Sequence, residues 1–355
     1  MLSCTVFVAG SAFAQRDPKT ALLDKAGWDA LATGNPRAAA EAFREAMAAD
    51  PKNARLHLGA GTAAFLERRD EDARRELERT LELDPKLKQA RVLLGQVLYR
   101  GGDLPGAIRT YEIVVNDAPA DKQSGDRLNR WRREAELHDR MRQTLDAHFT
   151  VSFEGPAEAG LATLALEALD RAYWRIGDTL ATFPSSPVSV VLYTAEQFRD
   201  ITRSPAWAAG AYDGTIRVPV GGVIDDPKEL DRILAHEFTH ALIRTLAPRN
   251  VPTWLNEGLA TALETSDLDW ARERVRHAGQ PISLDALRTS FGRFTGEQAR
   301  LAYATSALAV RRLIEEAGGF AIANLLRDLG EGVEFDTAFT HRIQRSLADF
   351  QAASQ

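Results

Sequence analysis

Asp226-Pro227-Lys228-Glu229 opens a segment that runs on to His236-Glu237-Phe238-Thr239-His240, and sixteen residues separate His240 from Glu257, which lies within Pro252-Thr253-Trp254-Leu255-Asn256-Glu257-Gly258-Leu259-Ala260. Asp226 has the residue type of an N-cap, Pro227 suits the first helical position, and Glu229 stands where a capping box places its carboxylate. The spacing therefore predicts a helix through residues 236–240. Two histidines four apart on a helix lie one turn above each other, so both imidazoles reach a single ion. Glu237 falls at the edge of that face, placed to act on a water rather than to ligate. An amphipathic helix with two surface histidines carries the same short pattern, and the second stretch separates the two readings. Proline starts another helix there, and a turn plus a short helix folding back brings the Glu257 carboxylate to the same ion. His236, His240 and Glu257 then form a His₂Glu set for Zn²⁺ with one position open.

With these motifs the chain resembles the gluzincin metallopeptidases, specifically the peptidase MA-like group, whose mark is HExxH followed by NEGxA. The resemblance covers roughly residues 150 to 355 and includes an upstream edge strand and a downstream helix with Ala302-Tyr303-Ala304-Thr305-Ser306. It implies an α+β zincin-like domain and peptide hydrolysis by a metal-activated water, with Glu237 as general base. In some gluzincins an aspartate one turn after the third ligand orients a histidine. Thr261 occupies that place here, so the orienting group has to come from elsewhere, such as Glu264. Tyr303 is the candidate donor to the oxygen that gains charge, with Tyr212 its rival. Trp254 and Leu255, an apolar pair beside a ligand, are expected in the core.

The stretch from Ala211 to Val220 reads as a strand whose Pro219 donates no ladder bond, which places it at a sheet edge or ends it there. The expectation is one edge strand over residues 211–218 that adds a bound peptide as a further strand, with Ala211, Tyr212, Gly214 and Thr215 touching substrate. Upstream, Phe149 to Phe153, Ala157 to Phe183 and Val188 to Tyr193 read as strand, helix and strand. Downstream, helices are expected over Glu297 to Ala317, Phe320 to Leu329 and Phe339 to Phe350.

The first third follows another rule. Pro51, Pro85 and Pro119 are 34 residues apart, and Gly27, Gly61 and Gly95 keep the same step, as do Ala39, Ala73 and Ala107 and, behind them, Phe43, Leu77 and Tyr111. Small residues in register let antiparallel helices approach, a large one fills the gap, and proline ends each unit. This resembles the tetratricopeptide repeat (TPR) over residues 20–119 as three units, although Leu23, His57 and Arg91 stand where the family pattern has Trp. The resemblance implies an all-α solenoid whose groove takes a protein partner or substrate; a rigid spacer is the other reading. Ser124 to His148 reads as one long charged helix that caps the stack, with Arg130, Arg132 and Arg133 on its solvated face. The organisation expected is thus a leader at 1–14, repeats at 20–119, a capping or linker helix at 120–148 and a metallopeptidase domain at 149–355.

With 44 basic against 50 acidic residues the net charge is −6, which argues against nucleic acid as a partner. Cys4 alone permits no intrachain disulfide. Leu2 to Ala14 is an apolar run ending Ala12-Phe13-Ala14, resembling a secretory leader, so an exported, periplasmic protein is expected, although no Lys or Arg follows Met1. No later run reaches the length of a membrane span. His57, His138, His148, His277 and His341 show no partner spacing and are expected to be structural or solvated. The function so expected is a zinc-dependent endopeptidase. Its rival is a catalytically idle, peptidase-like scaffold whose repeats bind envelope proteins, and the intact Glu237 argues against that rival. A small-substrate metallohydrolase is a third reading and requires a closed pocket.

Overall fold

The computed structural model describes residues 18–155, 159–204, 209–220, 226–279 and 282–353. The leader-like Leu2 to Ala14 lies outside them. The chain divides into two compact units, Met1–Val97 and Leu98–Gln355.

In the first unit α1 (Pro18–Ala32), α2 (Pro36–Ala49), α3 (Ala54–Leu66) and α4 (Asp70–Leu83) form antiparallel pairs, and α5 (Lys88–Arg100) begins the next. Asn35 and Asn53 cap α2 and α3 by accepting from the amides of Ala38 and Arg55. The 34-residue register has a steric cause. A Cβ on Gly27 would sit 2.6 Å from the Phe43 ring, and one on Gly61 would sit 2.9 Å from Leu77. Each glycine thus makes the room that the large residue sixteen positions later fills, while Ala39 and Ala73 are fully buried beside it.

The second unit starts at the end of α5 and continues through α6 (Leu104–Asp117) and α7 (Lys122–His138). A five-stranded sheet follows in the order β1-β2-β3-β5-β4. Its strands are β1 (Arg142–Leu145), β2 (Phe149–Phe153), β3 (Val188–Tyr193), β4 (Ala211–Tyr212) and β5 (Ile216–Pro219). β2, β3 and β5 are parallel, joined by crossovers through α8 (Ala159–Leu180) and α9 (Ala195–Thr202), while β1 and β4 run antiparallel at the two edges. One face, with Phe149, Val151, Val190, Leu192, Ile216 and Val218, packs into the main core. That core is shared with α8, α10 (Pro227–Leu246), α11 (Thr253–Glu264), α12 (Asp269–Ala278), α13 (Gly296–Ala317), α14 (Gly319–Gly330), α15 (Phe335–Ile343) and α16 (Leu347–Ala352). The opposite face buries Val191 and Tyr193 against Phe198 of α9 and Leu137 of α7. Among the described residues no helix is long and apolar enough to cross a membrane.

Three sequence expectations change. The helix expected over 124–148 ends at His138, because Met141 to Leu145 also fits a strand and Asp146 closes a turn by accepting from the amides of His148 and Phe149. α7 is not only a lid on the repeats, since it covers the back of the sheet. The helix expected over Phe339 to Phe350 is broken at Gln344, whose φ of 61° ends α15. The single edge strand expected over 211–218 is a hairpin. Asp213 accepts from the Thr215 amide, Gly214 takes φ 123°, and the chain reverses so that β5 lies inside the sheet and the two-residue β4 forms the edge.

The end of α5 and all of α6 are tied into this unit by side-chain contacts. Trp131 of α7 stacks on Tyr99 at 4.9 Å and meets Tyr111 edge-on at 4.6 Å. Buried Arg217 of β5 donates to Glu134 at 2.6 Å and to the hydroxyls of Tyr193 and Tyr99. Tyr99 in turn donates to Glu134. A fragment starting near Ser124 loses both aromatic partners of Trp131 and leaves Glu134 short of a donor. It is expected to be destabilised by about 3 kcal/mol or more relative to one starting at Lys88. Equal thermal midpoints for the two fragments would show that the second unit does not need α5 and α6.

Candidate metal centre

α10 starts where the sequence places it, with Asp226 accepting from the Lys228 amide at 2.9 Å and Pro227 in the first turn. Glu229 does not close the box but pairs with Arg232 at 2.6 Å. His236 and His240 therefore stand one turn apart on the same helix, their ring centroids 4.9 Å apart. α11 is set by its own N-terminus, whose Thr253 and Trp254 amides donate to the carbonyls of Arg288 and Leu287. Trp254 and Leu255 are fully buried, so they anchor the helix. On its other side α11 lies directly on α13: a Cβ at Gly258 would come within 2.6 Å of the Ser306 carbonyl oxygen.

This packing brings His236 Nε2 to 3.9 Å and His240 Nε2 to 3.8 Å from Glu257 Oε2. One donor atom from each residue falls within 4.8 Å of the others, the one such group of three among the described residues. Tetrahedral zinc with bonds near 2.0–2.2 Å needs its ligand atoms roughly 3.3–3.5 Å apart, so side-chain movement alone closes the set. The outward nitrogens are already engaged. His236 Nδ1 meets Glu264 Oε2 at 2.6 Å, and Glu264 also accepts from Arg232 at 2.7 Å. His240 Nδ1 faces Asn256 Oδ1 at 3.4 Å. Both Nε2 atoms are thereby turned to the shared point, the arrangement in which imidazoles bind a cation. Glu264, two turns beyond Glu257, does what an aspartate at the Thr261 position would do. Glu264→Gln is expected to weaken zinc affinity about 10–100-fold, read by chelator competition. An unchanged affinity would remove Glu264 from the support of His236.

The charges in the cluster are strongly coupled. Burial lowers both histidine pKa values. For His236 the Glu264 bond and the carboxylates of Glu237 and Glu257 outweigh it, raising the value to about 9. His240 falls to about 4 under burial, with Glu257 opposing and His236 adding to the fall. A cation bound here near neutral pH would have to displace the His236 proton. Glu237 is 6% exposed. Burial, together with Glu257 and Glu264 and against His236, raises its pKa to about 7.

Tyr303 enters the cluster from α13, with its hydroxyl on the Glu257 carboxyl and its ring edge-on to Phe291 at 5.3 Å. Burial first, then the carboxylates of Glu257, Glu237 and Glu264, holds that hydroxyl protonated well above its ordinary range. Tyr212, the rival, lies elsewhere, since the Arg244 guanidinium sits 5.7 Å from its ring and its charged neighbours are Arg244 and Asp213. Ala211 packs on the opposite face of the sheet, beside Tyr193 and Phe198. Gly214 and Thr215 form the hairpin tip and line a 280 Å³ pocket with Pro184, Ser186, Ala241 and Thr245. A Cβ at Gly214 would be 2.8 Å from the Arg100 carbonyl oxygen. These four residues are not gathered at the donors. The residue of this segment that meets the cluster is Gly210, where a Cβ would lie 2.6 Å from Glu237 Oε1. Nothing in the sequence marks Gly210, and only the register of β4 along α10 reveals it. Asn256, by contrast, stands in the quoted motif. The other histidines are engaged away from the cluster, His57 with Glu76, His138 with Tyr193, His148 stacked on Tyr173 and His277 on the Glu273 carbonyl.

Residues 168–349 match the family described as the Peptidase MA superfamily, and residues 25–87 and 68–122 match the tetratricopeptide repeat. No curated protein matches the chain. Among solved structures it is similar to the first TPR of Spaghetti (RPAP3), bound there to the HSP90 peptide SRMEEVD. The identity is 20%, over 33% of this chain and 94% of that one, with a TM-score of 0.32.

Proposed function

Because the chain belongs to the Peptidase MA superfamily and carries tetratricopeptide repeats ahead of that domain, we propose that it is a zinc-dependent endopeptidase. The observation that carries this reading is the convergence of His236, His240 and Glu257 with a buried carboxylate, Glu237, beside them and belonging to no ligand. His236, His240 and Glu257 would hold the zinc, which when bound would supply Lewis acidity toward a carbonyl oxygen and a water. Glu237, its pKa raised to about 7, accepts the proton of the attacking water and passes it to the leaving amine. Tyr303 holds a hydroxyl proton in the same cluster and donates it, as a hydrogen bond, to the oxygen that gains charge. The free edge of β4 offers main-chain groups to an extended peptide, with Gly210 letting that backbone pass close to Glu237. The repeats recruit a protein partner or the substrate, and the protein acts after export. The experiment is chelation and reconstitution: the purified chain should cleave an unstructured polypeptide, lose cleavage with a chelator and recover it with one zinc per chain. Cleavage that survives exhaustive zinc removal would sink the proposal.

A further inference from the structure

A second feature of the same unit uses α11 from its other end. Helices α8, α10, α11 and α13 enclose a cavity of about 590 Å³, one of whose walls is Glu264. Three arginines line it, of which Arg171 is paired with Asp231 and two, Arg175 and Arg311, hold main-chain carbonyls. Arg175 of α8 donates through Nη1 to the carbonyl of Leu263. Arg311 of α13 donates through Nη2 to the carbonyls of Ala262 and Thr265, at 2.5 and 2.9 Å. Among the described residues neither forms an ion pair with a carboxylate. A guanidinium carries five N–H donors, so at least three remain on each.

The acidic groups nearby are committed or peripheral. Asp231 is held by Arg171 at 2.8 Å, Glu264 by Arg232 and His236, and Glu315 is exposed at the rim. The end of α11 contributes only about half a negative charge through its dipole, against two full positive ones. In keeping with that imbalance, burial and then the Arg311 charge hold the Arg175 pKa below its ordinary value, with Asp231 opposing. The hydroxyls of Thr179, Thr265 and Ser266 line the same space. Two guanidiniums with spare donors, hydroxyls around them and no carboxylate ion-paired to either are the complement of an oxyanion.

We propose that this cavity binds a small oxyanion, of the phosphate or carboxylate type, between Arg175 and Arg311. The carbonyls these arginines hold, at residues 262, 263 and 265, bracket Glu264. A bound anion therefore acts on the segment that orients His236 and modulates zinc affinity. This last step rests on the zinc reading, whereas anion binding does not.

The test uses the full chain after chelator treatment, titrated with inorganic sulfate as the tetrahedral probe and with succinate as the carboxylate probe, against chloride at matched ionic strength. Calorimetry should give saturable binding of one of the two, the tighter naming the chemical source, and Arg175→Gln and Arg311→Gln should each weaken it about 10-fold or more. Should Arg311→Gln fail to fold, Arg175→Gln, which gives up a single main-chain bond, decides alone. Absence of saturation with either probe, or a curve unaltered by Arg175→Gln, overturns the site. In the zinc-loaded protein the bound anion should shift zinc affinity in the wild type and not in Arg175→Gln. An unmoved zinc affinity overturns the coupling and leaves the peptidase reading intact.

Discussion

Glu237→Gln is expected to lower kcat for peptide cleavage by roughly 10³–10⁴-fold while leaving one zinc per chain. The amide keeps the size and fit of the carboxylate against Gly210 but cannot accept a proton from the attacking water. No neighbour takes over, because Glu257 faces the histidines and Glu264 is held between His236 and Arg232. Elemental analysis and turnover of one peptide by wild type and variant measure the two halves of the expectation. A variant within tenfold of wild-type kcat would take the base role from Glu237. One that lost turnover yet kept its biological effect would favour the scaffold whose repeats do the work.

Glu257→Ala attacks the same centre through the ion. The substitution leaves two donors of three, so zinc affinity should fall by more than the roughly 10–100-fold ascribed to groups that only orient a ligand. Cleavage should fall with it at limiting zinc. Tyr303 also loses its hydrogen-bond partner, so the hydroxyl has to be re-satisfied locally. Dialysis of both proteins against the same buffered zinc measures the difference, and equal metal content would exclude Glu257 from the ligand set.

The repeats and the two helices that bring His236, His240 and Glu257 together were legible in the sequence because each obeys a short rule of spacing. The 34-residue register follows from pairs such as Gly27 with Phe43 and Gly61 with Leu77, and the one-turn spacing of His236 and His240 follows from helix geometry. Glu264 was legible only as a possibility. Its place opposite His236 depends on how far α11 runs before it ends, which no residue spacing states. The hairpin was legible in the tight-turn dipeptide Asp213-Gly214, but the strand-type residues on both sides of it also read as one continuous strand. The role of α7 was hidden for a different reason. Leu137 and Glu134 are paired with residues more than fifty positions away, Tyr193 and Arg217 among them, and such partners leave no periodic trace.

The contact between Gly258 and the Ser306 carbonyl bears on when the site acquires its shape. With no side chain on Gly258, the backbone of α11 rests on the Ser306 carbonyl and the Val310 side chain of α13, a close contact of low compressibility. What this contact fixes as the two helices dock is the place of Glu257 on α11 relative to Tyr303 on α13. The hydroxyl that the carboxyl accepts from is therefore positioned by folding, before anything binds.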